Sequence, residues 1–147
     1  MRMRSDGEFL TGLWFEGSRD VARHPQTGEE RLLPVFEDTI RWLERYFSGS
    51  APDFTPRHRL EGVTPFRQEV SDLMLQIPFG GLTTYGDIAA RLAERHGIPK
   101  MSARAVGGAV GWNPICLIIP CHRVIGSGSS LTGYGGGIQN KVSLLRL

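Results

Sequence analysis

The sequence predicts an α/β chain of the α+β kind. A small N-terminal lobe of strand and helix is followed by a mainly helical C-terminal lobe with a helix-turn-helix and a cysteine-centred segment. Three observations carry this. Residues 9–15 (FLTGLWF) are apolar and aromatic and read as a strand. Three segments between residues 65 and 110 read as helices in quick succession. Finally, Asn113 to Val124 (NPICLIIPCHRV) runs an apolar, β-branched stretch into a proline and then Cys121, His122 and Arg123.

Taken in order, residues 1–6 form a short, polar, frayed start, and Glu16-Gly17 turns the chain after the first strand. His24-Pro25-Gln26-Thr27-Gly28 is loop chemistry, with His24 exposed in it. Pro34 opens a helix that ends near Gly49, and Phe36, Ile40, Leu43 and Phe47 fall at helical spacing as its core face, with Trp42 and Tyr46 flanking. Residues 48–56 are a Ser/Pro/Gly linker, dividing the chain into a lobe over 1–56 and a domain over 57–147. Thr64-Pro65 caps the next helix, whose face is Phe66, Val70, Leu73 and Ile77. After Thr83-Thr84-Tyr85 comes a short amphipathic helix from Gly86 to Ala93, then a turn over 96–99. Ser102 caps a third helix, Ala103 to Val110, built of Ala, Gly, Val and the single Arg104. Ile115 to Ile119 reads as a buried strand stopped by Pro120, and 138–145 as a last helix.

Composition narrows the function. The 147 residues contain no apolar run of transmembrane length and no signal-peptide pattern, so a cytoplasmic protein is expected. The two cysteines, Cys116 and Cys121, offer neither a disulfide framework nor zinc-ligand spacing. Charge is unevenly spread. Residues 1–56 hold seven arginines against ten acidic side chains, a net −3, whereas residues 57–147 hold ten basic against five acidic, a net +5. No acidic side chain follows Glu94. Such a basic half suits a polyanion, and simple solubility asymmetry is the alternative.

Cys121 is the candidate nucleophile. The thiolate is the reactive form of a thiol, and a position after Pro120 at a helix start, with Arg123 adding positive charge and His122 able to take the proton, favours it. Neighbours in an extended chain point to opposite faces, so a bridging water is the expected proton path from Cys121 to His122. The competing reading is a buried structural cysteine. In the third helix, Gly107, Gly108 and Gly111 each cost about 1 kcal/mol relative to Ala. They suit close approach to another surface, either internal helix packing or the minor groove of DNA.

The stretch GGAVGWNPICLIIPCHRVIGSGSSLTGYGGG closely resembles the active-site segment of the O6-alkylguanine-DNA alkyltransferases. The RAVGGA helix, the PCHRV block and the LTGY loop stand in the family's order and spacing, over residues 60–147 and more weakly at LTGLWFEG. The resemblance implies repair of double-stranded DNA by direct reversal. The alkyl group of O6-alkylguanine, and of O4-alkylthymine, passes irreversibly to Cys121 after the base is flipped out, one transfer per molecule, with no cofactor and no metal. It implies a monomer working with the nucleoid of a prokaryote. Some relatives hold zinc in the N-terminal lobe, and the absence of cysteine before Cys116 argues against it here.

It also implies roles. Cys121, His122, Asn113 and Tyr85 are the catalytic set. Asn113 holds the active-site turn, and Tyr85 presses on the target phosphate and assists protonation of the departing guanine at N3. Thr84, Tyr85, Gly86, Ala103, Arg104 and Gly107 face DNA, with Arg104 filling the gap of the flipped nucleotide. Val124, Tyr134, Gly135 and Gly136 line the base pocket, where the carbonyls of Cys121 and Val124 accept from the exocyclic amine. Trp112 departs from the family's small or polar residue, and Cys116 from a frequent proline. A family glutamate that bonds the imidazole falls one position past Leu147, so activity is expected to survive but to depend on that end. Two rivals remain: a binding-only relative, which would lack the cysteine, and a hydrolase using Cys121 and His122, which would turn over.

Overall fold

The computed structural model describes residues 1–18, 30–126 and 138–146. Strands β1 (Arg2–Ser5) and β2 (Leu10–Trp14) form an antiparallel hairpin, with Arg2 opposite Trp14 and a bulge between Arg4 and Ser5. The start of the chain is therefore a paired strand and not a frayed end. Its hairpin turn is closed by Asp6, whose Oδ1 accepts from the N–H groups of Glu8 and Phe9 at 3.0 and 2.8 Å. Every residue of β2 is buried. Gly12 is required there, because a Cβ at that position would overlap the indole of Trp14.

Helix α1 (Pro34–Phe47) buries Val35, Thr39, Trp42 and Tyr46, while Ile40 and Phe47 are exposed. The core face is thus rotated by one residue from the Phe36-Ile40-Leu43-Phe47 stripe. Thr39 masks the true face in the sequence, since it looks polar. Its hydroxyl donates to the Val35 carbonyl at 2.7 Å and so is satisfied inside. Phe36 and Leu43 pack at the edge of the core, and Trp42 stacks on Tyr46 with ring centroids 5.1 Å apart.

Helix α2 (Pro65–Leu75) is capped by Thr64, whose Oγ1 accepts from the Arg67 N–H at 3.3 Å. Strand β3 (Thr83–Thr84) leads into α3 (Tyr85–His96), capped by Thr84 through the Asp87 N–H at 3.0 Å and ended by Gly97 at φ +62°. Helix α4 (Ala103–Trp112) starts at its Ser102 cap and runs two residues beyond Val110. It packs against both α2 and α3. After a 3₁₀ turn (Cys121–Arg123) comes β4 (Val124–Ile125), which pairs parallel with β3, and then α5 (Ile138–Leu145) against that turn.

One hydrophobic cluster joins Leu10, Trp42 and Tyr46 to Val70, Leu92, Val106, Cys121 and Leu144. β2 is the seam. On one side Leu10 exchanges backbone bonds with Arg57 and Arg59, a parallel bridge to His58, whose own Nδ1 is 2.9 Å from the Pro56 carbonyl. On the other side the Leu13 N–H donates to Pro114 O at 2.9 Å, and Leu13 O accepts from the Cys116 N–H at 3.0 Å. Among the described residues no helix is long and apolar enough to cross a membrane.

Candidate active site

The run from Ile115 to Ile119 is not a strand. Only Ile115 bridges, to Leu13; Leu117 adopts φ +70°, and the chain folds back with Ile119 N–H donating to Ile115 O at 3.1 Å. All five residues are buried. The apolar run reflected burial, which does not distinguish a strand from a tight turn in the core. Asn113, 2% exposed, holds this turn together. Its Oδ1 accepts from the Ile115 N–H at 2.9 Å, and its Nδ2 donates to Ile119 O at 2.9 Å and Ile115 O at 3.3 Å.

The turn delivers Cys121 into the core at 6% exposure. Its N–H is not a free helix-start donor, since it bonds Ile119 O at 2.8 Å, and the helical segment that follows is only three residues long. Positive charge reaches the thiol from another direction. Lys141 of α5 is fully buried, with Nζ donating to Val124 O at 2.8 Å. Burial pushes its pKa down, and the charge of Cys121 acts in the opposite sense, so thiolate and ammonium favour each other. Val124 O therefore already serves Lys141.

His122 is 1% exposed, and its pKa is pushed down to about 3, first by burial and then by the charges of Arg123 and Lys141. It is a neutral imidazole at physiological pH. Nε2 lies 2.7 Å from the Tyr46 hydroxyl, and Nδ1 has no hydrogen-bond partner among the described residues. Arg123, 8% exposed, donates to Ile77 O at 3.2 Å and to the Tyr46 oxygen at 3.4 Å, over the faces of Phe79 and Tyr46. A cavity of about 100 Å³ adjoins this group, lined by Tyr46, Phe79, His122, Arg123 and Leu144.

The helix-turn-helix stands beside this centre. Because β3 pairs with β4, the Thr84 cap and Tyr85 at the start of α3 are tied to the residues just after Cys121. Tyr85 is half-buried against Gly107, where an added Cβ would sit 3.9 Å from its ring. Gly86, Ala103, Arg104, Ala105 and Gly108 are exposed. Trp112, at the far end of α4, carries the Arg67 guanidinium 4.7 Å from its ring centroid. Tyr134, Gly135 and Gly136, with the rest of the LTGY loop, lie outside the described residues, as do His24 and Leu147.

A family model for the DNA-binding domain of 6-O-methylguanine DNA methyltransferase matches residues 65–147. The chain belongs to that methyltransferase family. A methylated-DNA–protein-cysteine methyltransferase of Haemophilus influenzae is 42% identical over 143 residues, covering 97% of this chain and 76% of that protein. One from Mycobacterium leprae is 45% identical over 146 residues, covering 96% and 81%. Among solved structures, Mycobacterium tuberculosis OGT in complex with DNA superposes with a TM-score of 0.82 at 39% identity, covering 99% of this chain and 83% of that one.

Within this methyltransferase chain, sequence reasoning missed two buried side chains at the centre. Lys141 was the sole charge in the stretch IQNKVSLL, a signal open to notice. Tyr46 offered none, because its spacing is that of a core aromatic.

Proposed function

We propose that this protein reverses alkylation damage in double-stranded DNA by moving the alkyl group from O6 of guanine, or O4 of thymine, to Sγ of Cys121. The observation that carries the reading is the buried Cys121 thiol at the end of the turn that Asn113 holds, with β4 just after it paired to β3 at the entry of the helix-turn-helix. The thiolate attacks the alkyl carbon in line, the C–O bond breaks with its electrons going to the base, and the base takes a proton in exchange. A thioether remains, which has no easy hydrolytic exit. One protein molecule therefore performs one transfer, and the chemistry calls for no cofactor.

His122, neutral at rest, is available to receive the thiol proton. The imidazolium so formed sits near Arg123 and Lys141 and is pressed to pass the proton on, which suits a relay to the departing base and not a resting ion pair. Asn113 keeps the Cys121 turn in shape. Thr84, Tyr85, Gly86, Ala103, Arg104 and Gly107 are the DNA face, with Tyr85 at the target phosphate and Arg104 in the gap of the flipped nucleotide. Val124, Tyr134, Gly135 and Gly136 wall the base pocket. Residues 57–147 form the DNA-binding alkyltransferase domain, and residues 1–56 the supporting lobe. The protein acts as a monomer in the cytoplasm, with the nucleoid.

Mass spectrometry after incubation with duplex DNA containing O6-methylguanine tests this. The expected result is one methyl group gained on Cys121, once, and none on a Cys121→Ser chain that still binds DNA. Repeated turnover would point to a hydrolase, and binding without an adduct to a damage-flagging module; either sinks the transfer reading.

A further inference from the structure

Arg67 stands in the first turn of α2, where its backbone N–H is taken by the Thr64 cap. Its guanidinium lies 4.7 Å from the ring centroid of Trp112, the last residue of α4, and both side chains are half-buried. Among the described residues no carboxylate meets that guanidinium. Glu61 is turned to Arg4, Glu69 to His96 and Asp72 to Gln68. In the N-terminal part of the chain the pattern is the opposite: Arg2, Arg41, Arg45, Arg57 and Arg59 each have an acidic partner. The first turn of α2 also holds no acidic residue, and a cation at the positive end of a helix dipole is disfavoured. Arg67 is therefore not placed there for the sake of its own helix.

Resting on the transfer reading above, we propose that Arg67, laid on Trp112, is an anchor for a phosphate of the DNA backbone. The ring occupies one face of the guanidinium and leaves the N–H donors, which lie in its plane, for an oxyanion. A planar fork of this kind matches phosphate. Its place on the surface points to DNA as the source. Arg104, Gly108 and Trp112 are successive members of one i, i+4 row on α4. Arg104 and Gly108 are exposed, and a Cβ at Gly108 would meet nothing within 4 Å, so the row is open in its middle. The row carries the DNA face about 12 Å along the helix, from Arg104 to the residue before Asn113. A phosphate held at Arg67 fixes the duplex at the end of α4 that leads into the Cys121 turn.

Fluorescence anisotropy of the full chain on lesion-free duplex, taken across a salt series, tests this. Arg67→Gln is expected to weaken binding and to reduce the slope of log affinity against log salt by about 0.9, the value for one phosphate contact. The loss should be the same on duplex carrying O6-methylguanine, since a phosphate contact does not read the base. Trp112→Phe keeps a ring under the guanidinium and should hold the parent slope, whereas Trp112→Ser removes it and should bind more weakly. Arg41→Gln removes the same charge from α1 and should leave the slope alone. A folded Arg67→Gln chain with the parent slope overturns the proposal. So does an equal fall for Arg41→Gln, which would make the effect one of net charge. If the pair merely clips α2 to α4, Arg67→Gln lowers the urea midpoint and leaves the slope unmoved. Failure of the transfer reading shows differently, as a parent that binds the duplex but gains no methyl group on Cys121.

Discussion

Acidification from pH 7 to pH 5 should weaken the fold through His122, by an amount the structure allows to be worked out. In the unfolded chain the ring titrates at its ordinary pKa of about 6.5, so it is mostly neutral at pH 7 and almost fully protonated at pH 5. In the folded protein the pKa is about 3, driven down first by burial and then by Arg123 and Lys141, so the ring stays neutral at both. A depressed folded pKa means the unfolded state binds the extra proton. The stabilisation is therefore complete above pH 6.5 and is lost as pH falls from there towards 3. Between pH 7 and pH 5 the linkage integral is about 2 kcal/mol. Urea unfolding of the parent and of His122→Gln at the two pH values isolates it, because His24, His58, His96 and the carboxylates are common to both and cancel. The parent should lose about 2 kcal/mol more than the variant. Equal losses, or a His122 ring signal that titrates between pH 7 and pH 5 in the folded parent, would refute a neutral buried imidazole.

Asn113→Ala removes all three bonds that close the Cys121 turn and should cost on the order of 3 kcal/mol in urea or thermal unfolding, with transfer lost in step. Lys141→Met takes away the buried cation and should slow alkylation of Cys121 by iodoacetamide at neutral pH; an unchanged pH–rate profile for that reaction would remove Lys141 from the site. Arg104→Ala should slow transfer from lesion-bearing duplex more than from a lesion in single-stranded DNA, read by single-turnover assay; equal slowing on both would take Arg104 out of the gap of the flipped nucleotide. Gly12→Ala should destabilise by overpacking against Trp14, by about 1–3 kcal/mol in urea unfolding.

Capped helices were the most legible part of the fold. Thr64 and Ser102 announce α2 and α4 because a short polar side chain answers N–H groups that the helix itself leaves open. Faces and strands were less legible, for reasons that differ. In α1 the polar Thr39 sits inside and the apolar Ile40 outside, so hydrophobicity alone rotates the face. β1 is written in Arg, Met and Ser, and its existence depends on pairing with β2, which no local pattern records. The two-residue strands β3 and β4 are invisible for the same reason. At the site, Cys121, His122 and Asn113 stand within ten residues and were found together. Lys141 and Tyr46 reach the same centre from distant parts of the chain, through α5 and α1, and only tertiary packing brings them there.

The electrostatics of that centre explain why it is built from distant parts. Burying two cations, Lys141 and Arg123, carries a desolvation penalty that needs an opposing charge or strong acceptors. Arg123 is answered by a carbonyl, a phenol oxygen and two aromatic faces, and none of these is an anion. Lys141 is answered by a carbonyl and by the charge of Cys121. A thiolate at Cys121 is an anion that helps repay the burial of Lys141. The same cations keep His122 neutral, so the site does not stabilise its thiolate by pairing it with imidazolium. Lys141 reaches the centre from α5 and Tyr46 reaches it from α1. Each needs the other end of the chain in place, and the single core that runs from Leu10 to Leu144 keeps it there.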